Sequence, residues 1–355
     1  DTLRFAVAEY PEGTIRRALV ELRCAGQLLQ AFTIEQTAIK QEVIEFADPL
    51  VKQILVESVN PLIDTDHDGE ISYPEAERAL TIPSFQGTMI KSFDELRYFT
   101  AVTRIPDGTF SECKVLTSVL LPERIVEIGS YTFNGCVGIV KIDIPKELTV
   151  IGDNSFSGCT NLSEIVIPEG VKRLEDATFS NCSNLSNVQL PSELEFIGYD
   201  VFQGCSMLSE INVPEKVSVI EARAFSMCSA LKKVNLPKGL TSVANGAFLN
   251  CSSLEEIVLP EEIMSIGELA FGGCSRLKSI VIPQNVQYVG GWAFSPCDVL
   301  NQVIFTSVEP PVLGTEVFEY CPDALQILIP AGALEAYSSA LGWSEYVQYL
   351  VESAE

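Results

Sequence analysis

Twelve consecutive residues, Asp64-Thr65-Asp66-His67-Asp68-Gly69-Glu70-Ile71-Ser72-Tyr73-Pro74-Glu75, carry the clearest chemistry in this 355-residue sequence. Asp64, Asp66 and Asp68 alternate, so their carboxylates can converge on one point, and Gly69 permits the sharp turn that follows. Glu70 offers its backbone carbonyl, Ser72 a hydroxyl, and Glu75 two further carboxylate oxygens. An all-oxygen set of this charge suits calcium, a hard cation that takes about six to eight oxygens. The competing reading is a plain acidic, solvated turn. His67 is the only histidine and falls at the fourth position of the loop, which points outward, so it is assigned no function.

Other reactive chemistry is sparse. Apart from His67 there is no imidazole for general acid-base work, no glycine-rich phosphate loop and no G-x-S-x-G turn for a nucleophile. A carboxylate-only glycosidase stays formally open, since Asp and Glu number 48, but those acids fall mainly in turns where solvated charge is the default. The expectation is therefore a protein that is not an enzyme. Against 23 Lys and Arg the formal charge is -25, which makes nucleic acid and anionic membrane poor partners. No apolar run is long enough to span a bilayer, and no basic-then-apolar leader opens the chain, whose start at Asp1 fits a processed or truncated sequence.

The elements that must position any site repeat. The tetrad Phe-x-x-Cys occurs ten times between Phe110 and Cys321, nine times at a spacing of 23 residues and once more after a one-residue insertion. A strict period in that range is the signature of a solenoid. In the unit from Cys136 to Phe156, Ile139, Ile142 and Ile144 alternate into a short strand that Pro145 closes, because proline has no N-H to continue a ladder. Leu148, Ile151 and Phe156 follow on a return arm. Each coil should give one short strand, a polar turn and that return arm, so stacking makes a parallel sheet on one side. Disulfides and free thiols compete for the cysteine ladder. Parallel side chains on successive coils inherit a spacing of about 4.7 to 4.9 Å, longer than a disulfide tolerates, so the thiols are expected to be free, buried and inert. A single sulfur per coil offers no C-x-x-C pair for a metal.

The I-P, I-G and A-F-x-x-C elements at this period resemble the BspA-like class of leucine-rich repeats, over residues 90–355. That resemblance implies an α/β solenoid, a right-handed superhelix with a parallel β-sheet on one face, in a secreted or surface-displayed protein, some members being adhesins for host or microbial proteins. Thr306 departs from the strand-ending Pro, Ala324 from the strand-opening Leu, and Glu175, Glu221 and Ala244 from the usual Gly. The acidic loop resembles a single EF-hand, and also one of the paired segments of a dockerin module. Because no second loop of this form exists, its implied role is structural. Asp48 and Pro49 start a helix whose apolar face is Val51, Ile54 and Leu55, and Pro74 opens a second one over 75–80.

Domain organisation follows. Residues 1–42 read as a hairpin, Ala18 to Leu22 and Ala31 to Gln36 joined by a polar link from Cys24 to Gln30, resembling the last strands of a BACON domain, a small β-sandwich of surface glycan-handling proteins. Residues 43–89 form the helical calcium-binding region and 90–355 the repeats. Ile90 to Phe99 is expected to be an N-terminal cap strand with Phe93, Leu96 and Tyr98 inward. A helix over 333–350 should cap the far end within 331–355, its Tyr337, Trp343 and Tyr346 sealing an exposed core, with a ligand platform as the alternative.

Outward strand positions separate binding classes. The position two before the strand end reads Leu120, Asp143, Val166, Gln189, Asn212, Asn235, Val258, Val281, Ile304 and Leu328, and the position four before it is polar throughout. Neither row holds an aromatic, so the repeats suit a protein partner better than a glycan, for which stacking rings are the usual tool. Val258, Val281, Ile304 and Leu328 make one apolar stripe. Either it is a partner site, or β-branched residues simply suit a strand and the C-terminal helix folds over it. The expected function is a protein-binding, adhesin-like scaffold at the cell surface or outside the cell, with a structural calcium site. The alternative is a glycan-binding or glycan-assembly component acting through the N-terminal region.

Overall fold

Two structural requirements recur in every coil, a row of inward apolar side chains and a backbone that turns tightly enough to bring the next row into contact. The computed structural model describes residues 15–24, 27–37 and 42–353. From Phe85 to Phe318 one phenylalanine per coil stacks on the next, with ring centroids 5.3 to 5.8 Å apart and planes 3 to 17° from parallel. Proline carbonyls turn the chain after the strand, each accepting from the N-H three residues on, as in Leu148 to Pro145 and Val171 to Pro168.

The expected parallel ladder is present, and the return arm carries a second one. In the first ladder Glu164–Val166 pairs with Asn187–Gln189 and Glu210–Asn212 with Lys233–Asn235. Its last sheet runs Ser279–Ile282, Gln302–Phe305, Gln326–Ile329 and Leu350–Glu352. The second ladder is built of two-residue strands such as Arg173–Leu174, Phe196–Ile197 and Val219–Ile220. Two residues suffice because each strand contributes one inward side chain, Leu174, Ile197 or Ile220, and backbone bonds flank it on both sides, as Glu195 N-H to Lys172 O and Gly198 N-H to Leu174 O. The solenoid is thus mostly strand and loop, and helix is confined to short segments at and beyond its two ends.

The stack begins earlier than the Phe-x-x-Cys pattern does. Phe85 lies 5.5 Å from Phe110, and Thr88 takes the place of the cysteine, donating to Phe85 O at 2.6 Å. At the entry to the first ladder the strand is only Ser92–Phe93, followed by a 3-10 helix over Asp94–Tyr98. Three residues per turn put Phe93, Leu96 and Phe99 inward. Tyr98 is consequently not inward but half-buried, edge-on to Tyr73 at 4.9 Å.

The far end differs more. Instead of one long helix, α3 is Leu334–Ser339, and after a 3-10 turn at Val347–Tyr349 the chain returns as the strand Leu350–Glu352, parallel to Gln326–Ile329. Tyr337, Trp343 and Tyr346 do seal the core: they are buried, Trp343 edge-on to Phe305 at 5.1 Å and Tyr346 edge-on to Phe318 at 5.2 Å. In the last coil the strand-opening position passes from Ala324, which is exposed, to Leu325, which is buried.

Before the coils, α1 (Pro49–Glu57) and α2 (Tyr73–Arg78) flank the acidic loop. Their buried residues Val51, Leu55, Ile63, Ile71 and Ala76 belong to the same apolar core as the coils. At the N-terminal side β1 (Ile15–Cys24) and β2 (Gln27–Thr37) form an antiparallel hairpin with a register shift at Leu22/Arg23. The polar link expected over 24–30 is therefore largely strand. Residues 1–14, 25–26 and 38–41 of the BACON-like reading lie outside the described residues.

Candidate functional site: the acidic loop and the outward apolar row

The acidic loop is shaped by its own backbone. Gly69 N-H donates to Asp64 Oδ2 at 3.0 Å, Asp68 N-H to Asp66 Oδ1 at 3.2 Å and Glu70 N-H to Asp68 Oδ1 at 2.8 Å, so each aspartate folds the next residues around itself. Gly69 has φ 82°, a left-handed conformation that glycine takes without strain. As a result one carboxylate oxygen from each of Asp64, Asp66 and Asp68 lies within 4.8 Å of the others. Glu75 is oriented by four hydrogen bonds: Oε1 accepts from Thr65 N-H and Oγ, and Oε2 from Ser72 N-H and Oγ. The Ser72 and Glu75 pair is also the capping box of α2.

Electrostatics and solvation both mark this cluster. Burial first, and then the charges of Glu75, Asp68 and Asp64, hold the Asp66 carboxyl above its ordinary range. Burial raises Glu75 as well, but the hydrogen bonds from Ser72 and Thr65 outweigh it and hold that carboxyl below its usual range. Asp64 is 3 % exposed, and its Oδ1 has no hydrogen-bond partner. A buried carboxylate oxygen without a donor is costly, and the donor set around it is one that a hard divalent cation satisfies. The side chain of Glu70 is taken by Lys52 of α1 at 2.6 Å, which leaves its carbonyl for the loop. His67 Nδ1 lies 3.1 Å from Asp64 O, a contact that puts the proton on Nδ1 because a carbonyl only accepts.

Two features of the loop's surroundings have no simple sequence signal. Between α1 and Asp64 the chain makes a separate turn, with Val59 bridged to Leu62, instead of running helically into the loop. The exit of the loop pairs with residues 42–44: Ile44 N-H donates to Ile71 O at 2.8 Å and Tyr73 N-H to Glu42 O at 3.2 Å. The region is then fastened to the first coil. Asp48 accepts from Leu50 N-H as the cap of α1 and from Lys91 N-H at 2.6 Å, while Glu95 Oε1 accepts from Ala47 N-H at 3.0 Å.

The outward row is brought together in register. Val281 pairs with Ile304, Ile304 with Leu328, and Leu328 with Val351. Val258 stands on the preceding coil, 81 % exposed, where no strand forms. Val281 and Val351 are 47 and 41 % exposed, and Ile304 and Leu328 are half-buried between them. Toward the N-terminus the same row is polar, Asn235 Nδ2 donating to Asn212 Oδ1. Val351 escapes a helical reading of the C-terminal segment, although it lies one further period of 23 residues beyond Leu328. Because that segment adds a strand beside the row, it does not fold over it.

The cysteines of the ladder serve the packing of coil on coil. All ten of the ladder are unpaired, and each thiol donates to the carbonyl of the phenylalanine one coil back, as Cys136 to Phe110 O at 3.0 Å and Cys228 to Phe202 O at 3.1 Å. Burial drives them out of the reactive range, Cys205 and Cys251 being pushed up to about 12.

The chain is similar to a leucine-rich repeat protein of Bacteroides ovatus ATCC 8483 at 23 % identity, over 84 % of this chain and 94 % of that one, with a TM-score of 0.47. It is similar to the T. pallidum leucine rich repeat protein at 29 % identity, over 46 % of this chain and 79 % of that one, TM-score 0.42. A leucine rich cell surface protein of Faecalibacterium prausnitzii A2-165 shares 23 % identity over 72 % of this chain and 84 % of that one, TM-score 0.31. No curated protein matches. The sequence profile of the BspA type leucine rich repeat region matches residues 82–209 and 197–324, the stretch over which the Phe stack runs from Phe85 to Phe318. The chain therefore belongs to the BspA-type leucine-rich repeat family.

Proposed function

We propose that this protein is a non-enzymatic, adhesin-like binding scaffold that works at the cell surface or outside the cell. Its partner is a protein, held on the row Val258, Val281, Ile304, Leu328 and Val351, and calcium in the acidic loop fixes its N-terminal cap. The observation that carries this reading is the uncovered row itself, registered across four consecutive strands from Val281 to Val351. Contiguous exposed apolar surface on a water-soluble fold marks an interaction site more often than it marks chance. The alternating outward positions Ser279, Gln302 and Gln326 carry no charge, although Glu256 beside Val258 does, so these positions are uncharged from Val281 to Leu328 in a chain of net charge -25.

For calcium, Asp64, Asp66, Asp68, Ser72 and Glu75 would supply side-chain oxygens and Glu70 its carbonyl. The ion would neutralise crowded carboxylates and give Asp64 Oδ1 the partner it lacks. The setting outside the cell is proposed from the family resemblance and from the loop, which suits millimolar calcium. No helix among the described residues is long and apolar enough to cross a membrane.

The row is tested with Val281→Lys and Ile304→Lys together. Both side chains point outward while Ile280, Ile282, Val303 and Phe305 stay buried, so the double variant should keep its circular dichroism and melting temperature. On an array of extracellular-matrix and microbial surface proteins, at least one protein should bind the wild type and lose the double variant. Unchanged binding by a folded double variant, or a blank array for the wild type, overturns the reading.

A further inference from the structure

One edge of the solenoid is made of backbone that most side chains avoid. Where each coil turns after its second strand, one residue takes a left-handed φ: Tyr131 (58°), Asn154 (54°), Ala177 (53°), Asp200 (56°), Arg223 (58°), Gly246 (61°), Leu269 (55°), Trp292 (52°) and Glu316 (54°). Glycine, asparagine and aspartate fit such a position, and a large aromatic there is strained. Trp292 is nevertheless held there with 36 % of its surface in solvent, whereas the other tryptophan, Trp343, is fully buried. Neither core packing nor local backbone preference accounts for a tryptophan at that place. Tyr131, Leu269 and Arg223 take the same turn position, so the conformation belongs to the coil, and what sets Trp292 apart is how its ring is held.

The ring is also pinned. Trp292 Nε1 donates to Glu316 Oε2 at 2.6 Å, and its backbone N-H donates to Thr315 O at 3.0 Å, both on the next coil. On the preceding coil Leu269 N-H donates to Gly291 O at 3.0 Å, which brings Glu268 and Leu269 to the same edge. The edge therefore presents a fixed aromatic ring, with exposed hydroxyl and carboxylate groups from Thr315, Glu316 and Glu268 on the adjoining coils. A pyranose has that complement, one C-H face that stacks on a ring and a rim of hydroxyls that bond to carboxylates. A pre-oriented ring loses little freedom on binding.

We infer that Trp292, oriented by Glu316, is a stacking platform for a sugar ring, which makes this turn edge a glycan-binding site distinct from the apolar row. The inference does not rest on the protein-binding reading of that row. It also supplies the exposed aromatic that the outward strand rows lack.

Because Trp343 is buried, acrylamide quenching of tryptophan fluorescence reads Trp292 in the full chain. The probes are soluble β-glucan, xylan, mannan, chitin oligosaccharides and mucin O-glycans. At least one should protect Trp292 from quenching and bind in affinity electrophoresis. Trp292→Gly suits the left-handed backbone, so it should melt at the wild-type temperature or above while binding roughly tenfold or more weakly, as the loss of an anchoring aromatic does. Glu316→Gln, whose amide oxygen still accepts the indole N-H, should bind close to wild type, and Glu316→Ala clearly less. The Val281→Lys and Ile304→Lys double variant should bind glycan normally, which separates this site from the row. Failure of every probe to protect Trp292, or wild-type glycan binding by Trp292→Gly, overturns the inference. So does a Trp292→Gly variant that loses a protein partner while no glycan binds.

Discussion

At the scale of single residues the phenylalanine stack and the thiol ladder do different work. Phe225 sits 5.5 Å from both Phe202 and Phe248, so its ring is held from above and below by rings that their own coils hold in turn. Removing it leaves a void that cannot collapse, and Phe225→Ala should cost about 3 to 5 kcal/mol. Cys228→Ala should cost far less, about 1 kcal/mol for one modest hydrogen bond. Phe202 O, the acceptor of that thiol at 3.1 Å, keeps its second donor, Cys205 N-H, also at 3.1 Å. Urea denaturation of the two variants checks this, and equal losses that vanish in reductant would mean that Cys228 is disulfide-bonded. Both residue types were legible because each recurs at an inward place of a fixed period. The donor role of the thiols was not, because it joins residues 26 apart and depends on how one coil is offset over the next. Phe85 was missed because it precedes Phe110 by 25 residues with Thr88 in the place of the cysteine.

Among the elements, the acidic loop and its two helices act as a lid whose fastening passes through Asp48 and Glu95. Asp48 caps α1 with one oxygen and holds Lys91 N-H with the other, and Glu95 reaches back to Ala47 N-H, so order in the loop region is order in the first coil. Calcium should then slow hydrogen exchange of backbone amides over residues 48–78 and also over 91–99, and leave the central coils unchanged. At a concentration 100 times the dissociation constant the gain is about 2.7 kcal/mol. Asp66→Asn with Asp68→Asn removes two charges and keeps the side-chain shapes and the Glu75 hydrogen bonds, so this variant should fold without any calcium dependence. Exchange that is the same with calcium and with a chelator in the wild type would sink the calcium reading. The start of α1 was legible because capping by Asp48 and Pro49 is local. The pairing of 42–44 with the loop was not, since backbone bonds between distant segments leave no periodic trace. The 3-10 turn at Asp94–Tyr98 and the final strand Leu350–Glu352 were misread for a related reason: terminal segments adapt to the coil they cover, which weighs more than their own helical pattern.

For the whole molecule, a solenoid is a stack in which each coil touches only its neighbours, so its stability is close to a sum of coil and interface terms. The spacing of 23 residues makes a register-preserving deletion available. Removing residues 206–228 joins Cys205 to Ser229, which restores the Cys-Ser step that stood there before. Phe202 would then stack on Phe248 as Phe225 did. The shortened protein should fold, elute as a monodisperse species and unfold with a smaller denaturant slope, because less surface is exposed on unfolding. Deleting residues 333–353 removes fewer residues and should do more harm. It strips Tyr337 and Trp343 from Phe305 and Tyr346 from Phe318, leaving those rings and the edge of Gln326–Ile329 open to water. Circular dichroism, gel filtration and urea titration of both deletions decide the matter. If the internal deletion unfolds while the end deletion stays soluble and cooperative, the coils are not interchangeable units, and the central coils hold a contact that the repeating pattern does not contain.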